Sequence, residues 1–157
     1  MDKIIHPWDP FFLAKMRWIF LLLILFPSIV LGESCFDQAG DRYRIAPHLL
    51  RAIAKHESKM NPNAVHTNKD GTKDLGLMQI NERWLPTLKQ FGISRARLME
   101  ACQNIFVSAF ILRTLFNRYG ENWSAVGHYN ATHPLKAAKY AWQIHHHLTF
   151  ENQVAGR

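Results

Sequence analysis

The chain has 157 residues, with 19 Lys and Arg against 12 Asp and Glu, a net charge of +7 with His neutral, and 48% hydrophobic residues. That length supports one hydrophobic core and excludes a multidomain assembly. The basic residues are scattered rather than clustered and no aromatics interleave with them, which argues against a nucleic-acid groove and leaves another anionic polymer as the simpler partner.

Residues 1–32 read as a signal peptide. Trp18 to Leu31 is uncharged and apolar, and Lys15 and Arg17 stand just before it. The stretch is too short for a comfortable membrane span and suits the apolar core of a secretory signal. Gly32 offers small-residue cleavage chemistry before Glu33. The lead-in carries Asp2 and Asp9, which makes Met16 an alternative start, and an uncleaved membrane anchor is the alternative to a cleaved signal. Residues 33–150 are then the folded domain, and residues 151–157 a flexible tail. Cys35 and Cys102 both lie beyond the signal. An even count in an exported chain reads as one disulfide. A lipidated Cys35 is the rival, but Gly32-Glu33 does not give a small-apolar pattern and Cys102 would lack a partner.

Within the domain, Cys35 to Tyr43 predicts a short helix, with a break near Arg44. Pro47 suits the first turn of the next helix, in which Leu49, Ile53 and Glu57 recur at i, i+4, i+8 until Asn61-Pro62-Asn63 stops it. Asn68-Lys69-Asp70-Gly71 is turn chemistry and predicts a small hairpin between Ala64 and Ile80. Asn81 can cap a helix from Glu82 to Phe91, and Ser94 starts another to Glu100. Asn104 to Tyr119 is apolar around most of its circumference, which marks the buried central helix, closed by Gly120. Ser124 to Asn130 predicts a brief helix, and Pro134 opens the last, to about Leu148. The fold class is α+β, mostly α.

Glu57 lies on or beside the apolar stripe of its helix, so desolvation should raise its pKa and keep a proton available near neutral pH. A protonated carboxyl can donate to a leaving oxygen as its bond breaks. From spacing alone, a surface Glu balancing Lys55 and Lys59 is an equal reading. Gln79 and Asn81 are two apart on an extended segment and point to one side, with the capping of a helix as the other role for Asn81.

The run from Glu57 to Trp84, ESKMNPNAVHTNKDGTKDLGLMQINERW, resembles the catalytic region of the lysozyme and lytic transglycosylase superfamily. It is most similar there to the small, specialised lytic transglycosylases that accompany bacterial secretion and conjugation machines. The resemblance spans roughly Cys35 to Tyr140. It implies a lysozyme-like fold with a small β-hairpin region beside a helical core, and Glu57 as the catalytic acid. It also implies substrate contacts from Ser58, from Gly76 through close approach of the backbone, and from Gln79 and Asn81. Tyr129-Asn130 matches the late Tyr-Asn of the family signature, with Tyr129 near the acid. Its flanks depart from the family pattern at Gly127-His128 and at Thr132, which bears on the local loop geometry. Asn104-Ile105 falls where the family has a motif closing the groove. Asp74 falls on the position of the second carboxylate of animal-type lysozymes, a residue that most lytic transglycosylases lack. It is either a catalytic partner or an organiser of the Asn68–Gly71 turn.

The activity implied is cleavage of the bond between N-acetylmuramic acid and N-acetylglucosamine in peptidoglycan with a 1,6-anhydro product, opening the wall locally for a type III or type IV secretion apparatus. The alternatives are a hydrolytic lysozyme using Glu57 and Asp74, and a non-catalytic wall-binding assembly subunit. The expected protein is a periplasmic monomer without cofactor. No metal site is expected, since His145-His146-His147 would point in different directions on one helix and no carboxylate cluster accompanies them. Trp84 and Trp123 are candidates for stacking on sugars, with core packing as their other role.

Overall fold

In a computed structural model the described residues are 34–155, so the expected signal and its cleavage point lie outside them. No helix among the described residues is long and apolar enough to cross a membrane.

Helix α1 spans Cys35–Tyr43, with the Ser34 hydroxyl accepting the Asp37 N–H at its start and Arg44 in the left-handed region at its end. Helix α2 spans Pro47–Ser58 and buries Leu50, Ile53 and Ala54. Glu57 follows at i+7, i+4 and i+3 from these, on the same face. The helix stops at Lys59 (φ 55°), a left-handed cap whose N–H turns back to the Lys55 carbonyl, two residues before the Asn61-Pro62 break. Cys35 and Cys102 form a disulfide that ties α1 to the central helix.

The predicted hairpin is the first part of a three-stranded antiparallel sheet. Its strands are β1 Val65–Thr67, β2 Lys73–Leu75 and β3 Ile80–Asn81. The register sets His66 and Asn81 on either side of Asp74. β3 is the extended segment expected around Gln79 and Asn81, cut to two residues because Gln79 is left-handed. The helix expected from Glu82 to Phe91 is divided into a 3-10 turn, Glu82–Trp84, and helix α3, Leu85–Lys89. Pro86 is the reason: it lacks the N–H that an α-helix would direct at the Glu82 carbonyl, and that carbonyl takes the Leu85 N–H instead.

Helix α4 is Arg95–Met99, capped by Ser94. The central helix, α5, runs Ala101–Tyr119 and buries residues on most of its length, Asn104 and Ser108 included. Helix α6 is Trp123–Gly127, capped by Asn122. Helix α7 is Pro134–Ala155 and buries Ala137, Tyr140, Ala141 and Ile144 at i, i+3, i+4 and i+7. It continues past Leu148 because no glycine or proline intervenes before Gly156. The core is one cluster drawn from the helices and the sheet. Leu50, Ile53, Leu75, Met78, Leu98, Leu112 and Ile144 are fully buried, each stabilising the fold by about 1.5–3 kcal/mol. The architecture is the mostly helical, lysozyme-like one, with the small sheet beside the helical core.

Candidate active site

A cleft of about 880 Å³ is lined by Glu57, Asp74, Gln79, Asn81, Tyr129 and Asn130, together with Trp84 and the cationic Lys69, Arg118 and Lys136. It brings together most of the predicted site residues, from Glu57 to Asn130.

Glu57 is half-buried at the end of α2, and its Oε1 accepts a 2.5 Å hydrogen bond from the Tyr140 hydroxyl on α7. Burial pushes its carboxyl from 4.5 up to about 7, against the pull of that hydrogen bond and with a further upward push from the charge of Asp74. Such a group carries a proton at neutral pH and can also hold the charge after giving it up. The Tyr140 hydroxyl is itself held well above its ordinary 10, by burial first and then by the charge of Glu57, so it remains a donor. Its ring stacks on that of Tyr129 at 6.3 Å and receives His56 edge-on at 5.2 Å. His56 Nδ1 lies 3.3 Å from His147 Nε2. Burial lowers the His56 pKa, as do the neighbouring His147 and Lys59.

Asp74 is fixed from both sides. Its Oδ2 accepts from Asn68 Nδ2 at 2.9 Å and its Oδ1 from Asn81 Nδ2 at 2.7 Å. Both amides also reach the Thr72 hydroxyl, at 3.2 and 3.1 Å, and that hydroxyl donates to Asp70 at 2.7 Å. Asp74 therefore organises the turn and also lines the cleft. Asn81 has two roles as well, since its Oδ1 accepts the Arg83 N–H and caps the following turn.

The segment between β2 and β3 is held from below by Asn104, fully buried in α5. Its Oδ1 accepts the Met78 N–H at 2.7 Å, and its Nδ2 donates to the Leu75 and Leu98 carbonyls at 3.0 and 2.8 Å. Gly76 has φ +76°, and a Cβ there would meet Asn104 Nδ2 at 2.6 Å. Its lack of a side chain thus serves the approach of Asn104, whereas the sequence suggested approach of a sugar; Gly76 does not line the cleft. Gln79 is not extended as expected but left-handed, with φ 49°, a conformation that costs a non-glycine residue about 1–2 kcal/mol. Its Nε2 closes the turn by donating to Gly76 O at 2.7 Å and Ala64 O at 3.2 Å. Its side chain still borders the cleft.

Ser58 is beside Glu57 in sequence but does not line the cleft. Its hydroxyl donates to the Leu77 carbonyl at 2.7 Å, pinning α2 to the turn. Tyr129 does line it, yet its hydroxyl bonds Met78 O and Ser108 Oγ, at 3.0 and 2.9 Å, and burial pushes its pKa far up. The tyrosine that holds the acid is Tyr140, which sequence reasoning missed. One signal was available: a tyrosine among the apolar positions of α7 needs a partner for its hydroxyl. Asn104 offered a similar signal, being an amide placed among the apolar positions of the central helix, where it is buried. The three consecutive histidines diverge: His145 meets Trp123, His146 meets Trp142 and His147 meets His56.

The model of the transglycosylase SLT domain matches residues 34–141. The protein IpgF of Shigella flexneri is 40% identical over 134 residues, covering 82% of this chain and 88% of its own. The invasion protein IagB of Salmonella typhimurium (strain SL1344) is 39% identical over 142 residues, covering 85% and 89%. A peptidoglycan-binding-like protein of Escherichia coli O157:H7 is 36% identical over 157 residues, covering 92% and 94%.

Proposed function

The chain belongs to the transglycosylase SLT family, and from that premise we propose that it is a lytic transglycosylase cleaving the β-1,4 bond between N-acetylmuramic acid and N-acetylglucosamine in peptidoglycan. Glu57 delivers its proton to the glycosidic oxygen as the bond to C1 breaks. The substrate's own N-acetyl oxygen meets the positive charge at C1, in the manner of substrate-assisted glycosidases. The Glu57 carboxylate then takes the proton of the 6-hydroxyl, whose oxygen closes on C1 to leave a 1,6-anhydro end. Asp74, held by Asn81, supplies negative potential to the same cleft, and the Gln79 amide oxygen and the Asn130 amide meet the acetamido and hydroxyl groups of the sugars. The reaction draws on the acid and the substrate alone, without a cofactor.

The observation that carries this reading is a carboxyl pushed to about 7 and held by Tyr140 at the edge of an open polar cleft. A hydrolytic outcome has its own supporting observation. Asp74 lines the same cleft and its charge acts on Glu57, so it can stabilise or attack the oxocarbenium while water becomes the acceptor.

We assign residues 1–32 as the export signal and residues 33–150 as the catalytic domain, acting in the periplasm, where the substrate lies. The name of the Salmonella relative, an invasion protein, supports a role in opening the wall locally for a secretion or conjugation apparatus. The test is clearing of purified sacculi by the parent and by Glu57→Gln. Glutamine keeps the shape and cannot supply the proton, so clearing should slow by about a hundredfold or more. Parental speed in the variant would overturn the assignment of the acid. Sacculus binding without clearing by either protein would make the chain a wall-binding assembly subunit.

A further inference from the structure

A second groove, of about 490 Å³, runs between α6 and α7, a size within the range of about 300–1,000 Å³ usual for small-ligand sites. Two tryptophans line it, and solvent reaches both: Trp123 is 42% exposed and Trp142 66%. Histidines brace the two indoles in place. His145 meets Trp123 edge-on at 5.0 Å, and His146 lies against Trp142 at 5.5 Å. The apolar remainder of the lining is Pro134, Ala137, Ala138 and Ala141, all small side chains. Ser124, His128 and His145 add polar groups to the same lining.

These features match a pyranose better than a protein segment. A pyranose has a flat C–H face that packs on an indole and a polar rim that needs hydrogen-bond partners. A hydrophobic helix would need deep apolar holes, which a floor of alanines does not provide. His128 lines both this groove and the catalytic cleft, so the two sites adjoin. The proposed substrate is a polymer, long enough to occupy both.

We infer that the Trp123–Trp142 groove is an accessory glycan-binding site, which stacks N-acetylated sugars of the wall on its two indoles and keeps the enzyme on the polymer between cuts. This rests on the peptidoglycan reading above. The experiment uses the full domain in a Glu57→Gln background, so that turnover cannot blur binding, and measures its affinity for purified sacculi and for soluble N-acetylglucosamine oligomers. Adding Trp142→Ala should weaken both about tenfold, the worth of one good aromatic stack. Trp142→Tyr should restore most of the affinity. Leu135→Ala, on the same helix at a residue 77% exposed and outside the groove, should change nothing. Thermal unfolding of each variant checks that it is folded. Unchanged binding by Trp142→Ala overturns the inference. So does equal weakening by Leu135→Ala, which would indicate a general apolar face of the kind that docks a protein. If the parent fails to cut sacculi while Glu57→Gln still binds them through Trp142, the cleavage reading falls and the groove stands.

Discussion

Replacing Glu57 by Gln should make the protein more stable, and only at higher pH. The folded carboxyl titrates at about 7 against an ordinary 4.5, so the folded state holds the proton more tightly than the unfolded chain. The stability due to that proton is complete below 4.5 and is lost as pH rises through 7. At about 1.36 kcal/mol for each pH unit separating the two values, the loss reaches about 3 kcal/mol in weakly alkaline solution. Gln fills the same space, accepts from the Tyr140 hydroxyl through its amide oxygen, and does not titrate. The assay is urea unfolding of the two proteins, disulfide intact, from pH 4.5 to pH 8.5. Their midpoints should coincide at the acid end and separate by about 1–3 M urea at the alkaline end, given urea dependences of about 1–3 kcal/mol per M. Parallel stability curves across that range would mean that Glu57 is not desolvated in the folded protein, and the case for it as a proton donor would fail.

Tyr140→Phe removes the donor that favours the charged form of Glu57. The alkaline limb of the pH–rate profile should move up while the rate drops about tenfold to a hundredfold through looser positioning; an unmoved limb would count against the hydrogen bond. Asn104→Ala strands the Met78 N–H and the Leu75 and Leu98 carbonyls in the interior. It should cost about 3 kcal/mol or more in urea unfolding, and a cost under about 1 kcal/mol would contradict its role under the turn. Replacing both Cys35 and Cys102 by Ser opens a link across 67 residues and should cost about 4 kcal/mol in the chain-entropy model, measured the same way. A double variant as stable as the parent would remove the disulfide from the account.

How far the site could be read from the sequence depended on how local its contacts are. The place of Glu57 on the apolar face of its helix was legible from helical spacing, but spacing alone left a surface charge as an equal reading, and its reading as the acid came from the motif around it. The turn at Asn68–Gly71 was legible from residues that favour turns, and so was the capping role of Asn81. The second role of Asn81, as a donor to Asp74, follows from strand register, which the short β3 does not advertise. Gly76 was singled out for the close approach of a sugar, but what comes close is Asn104, distant in sequence. The partner of Glu57 was illegible for the same reason. Tyr140 lies on the last helix, 83 residues away, and only the packing of α7 against α2 brings them together. Gln79 misled because a two-residue spacing suggests a strand, whereas the turn that Asn104 anchors bends the chain into the left-handed region just before β3.

The most direct test of the central claim is mass spectrometry of the muropeptides released from purified sacculi, comparing the parent with Glu57→Gln and Asp74→Asn. The account predicts 1,6-anhydromuramic ends from the parent, their loss in Glu57→Gln, and their slower release in Asp74→Asn. Reducing ends from the parent would contradict it, and would make Asp74 a full catalytic partner in a lysozyme.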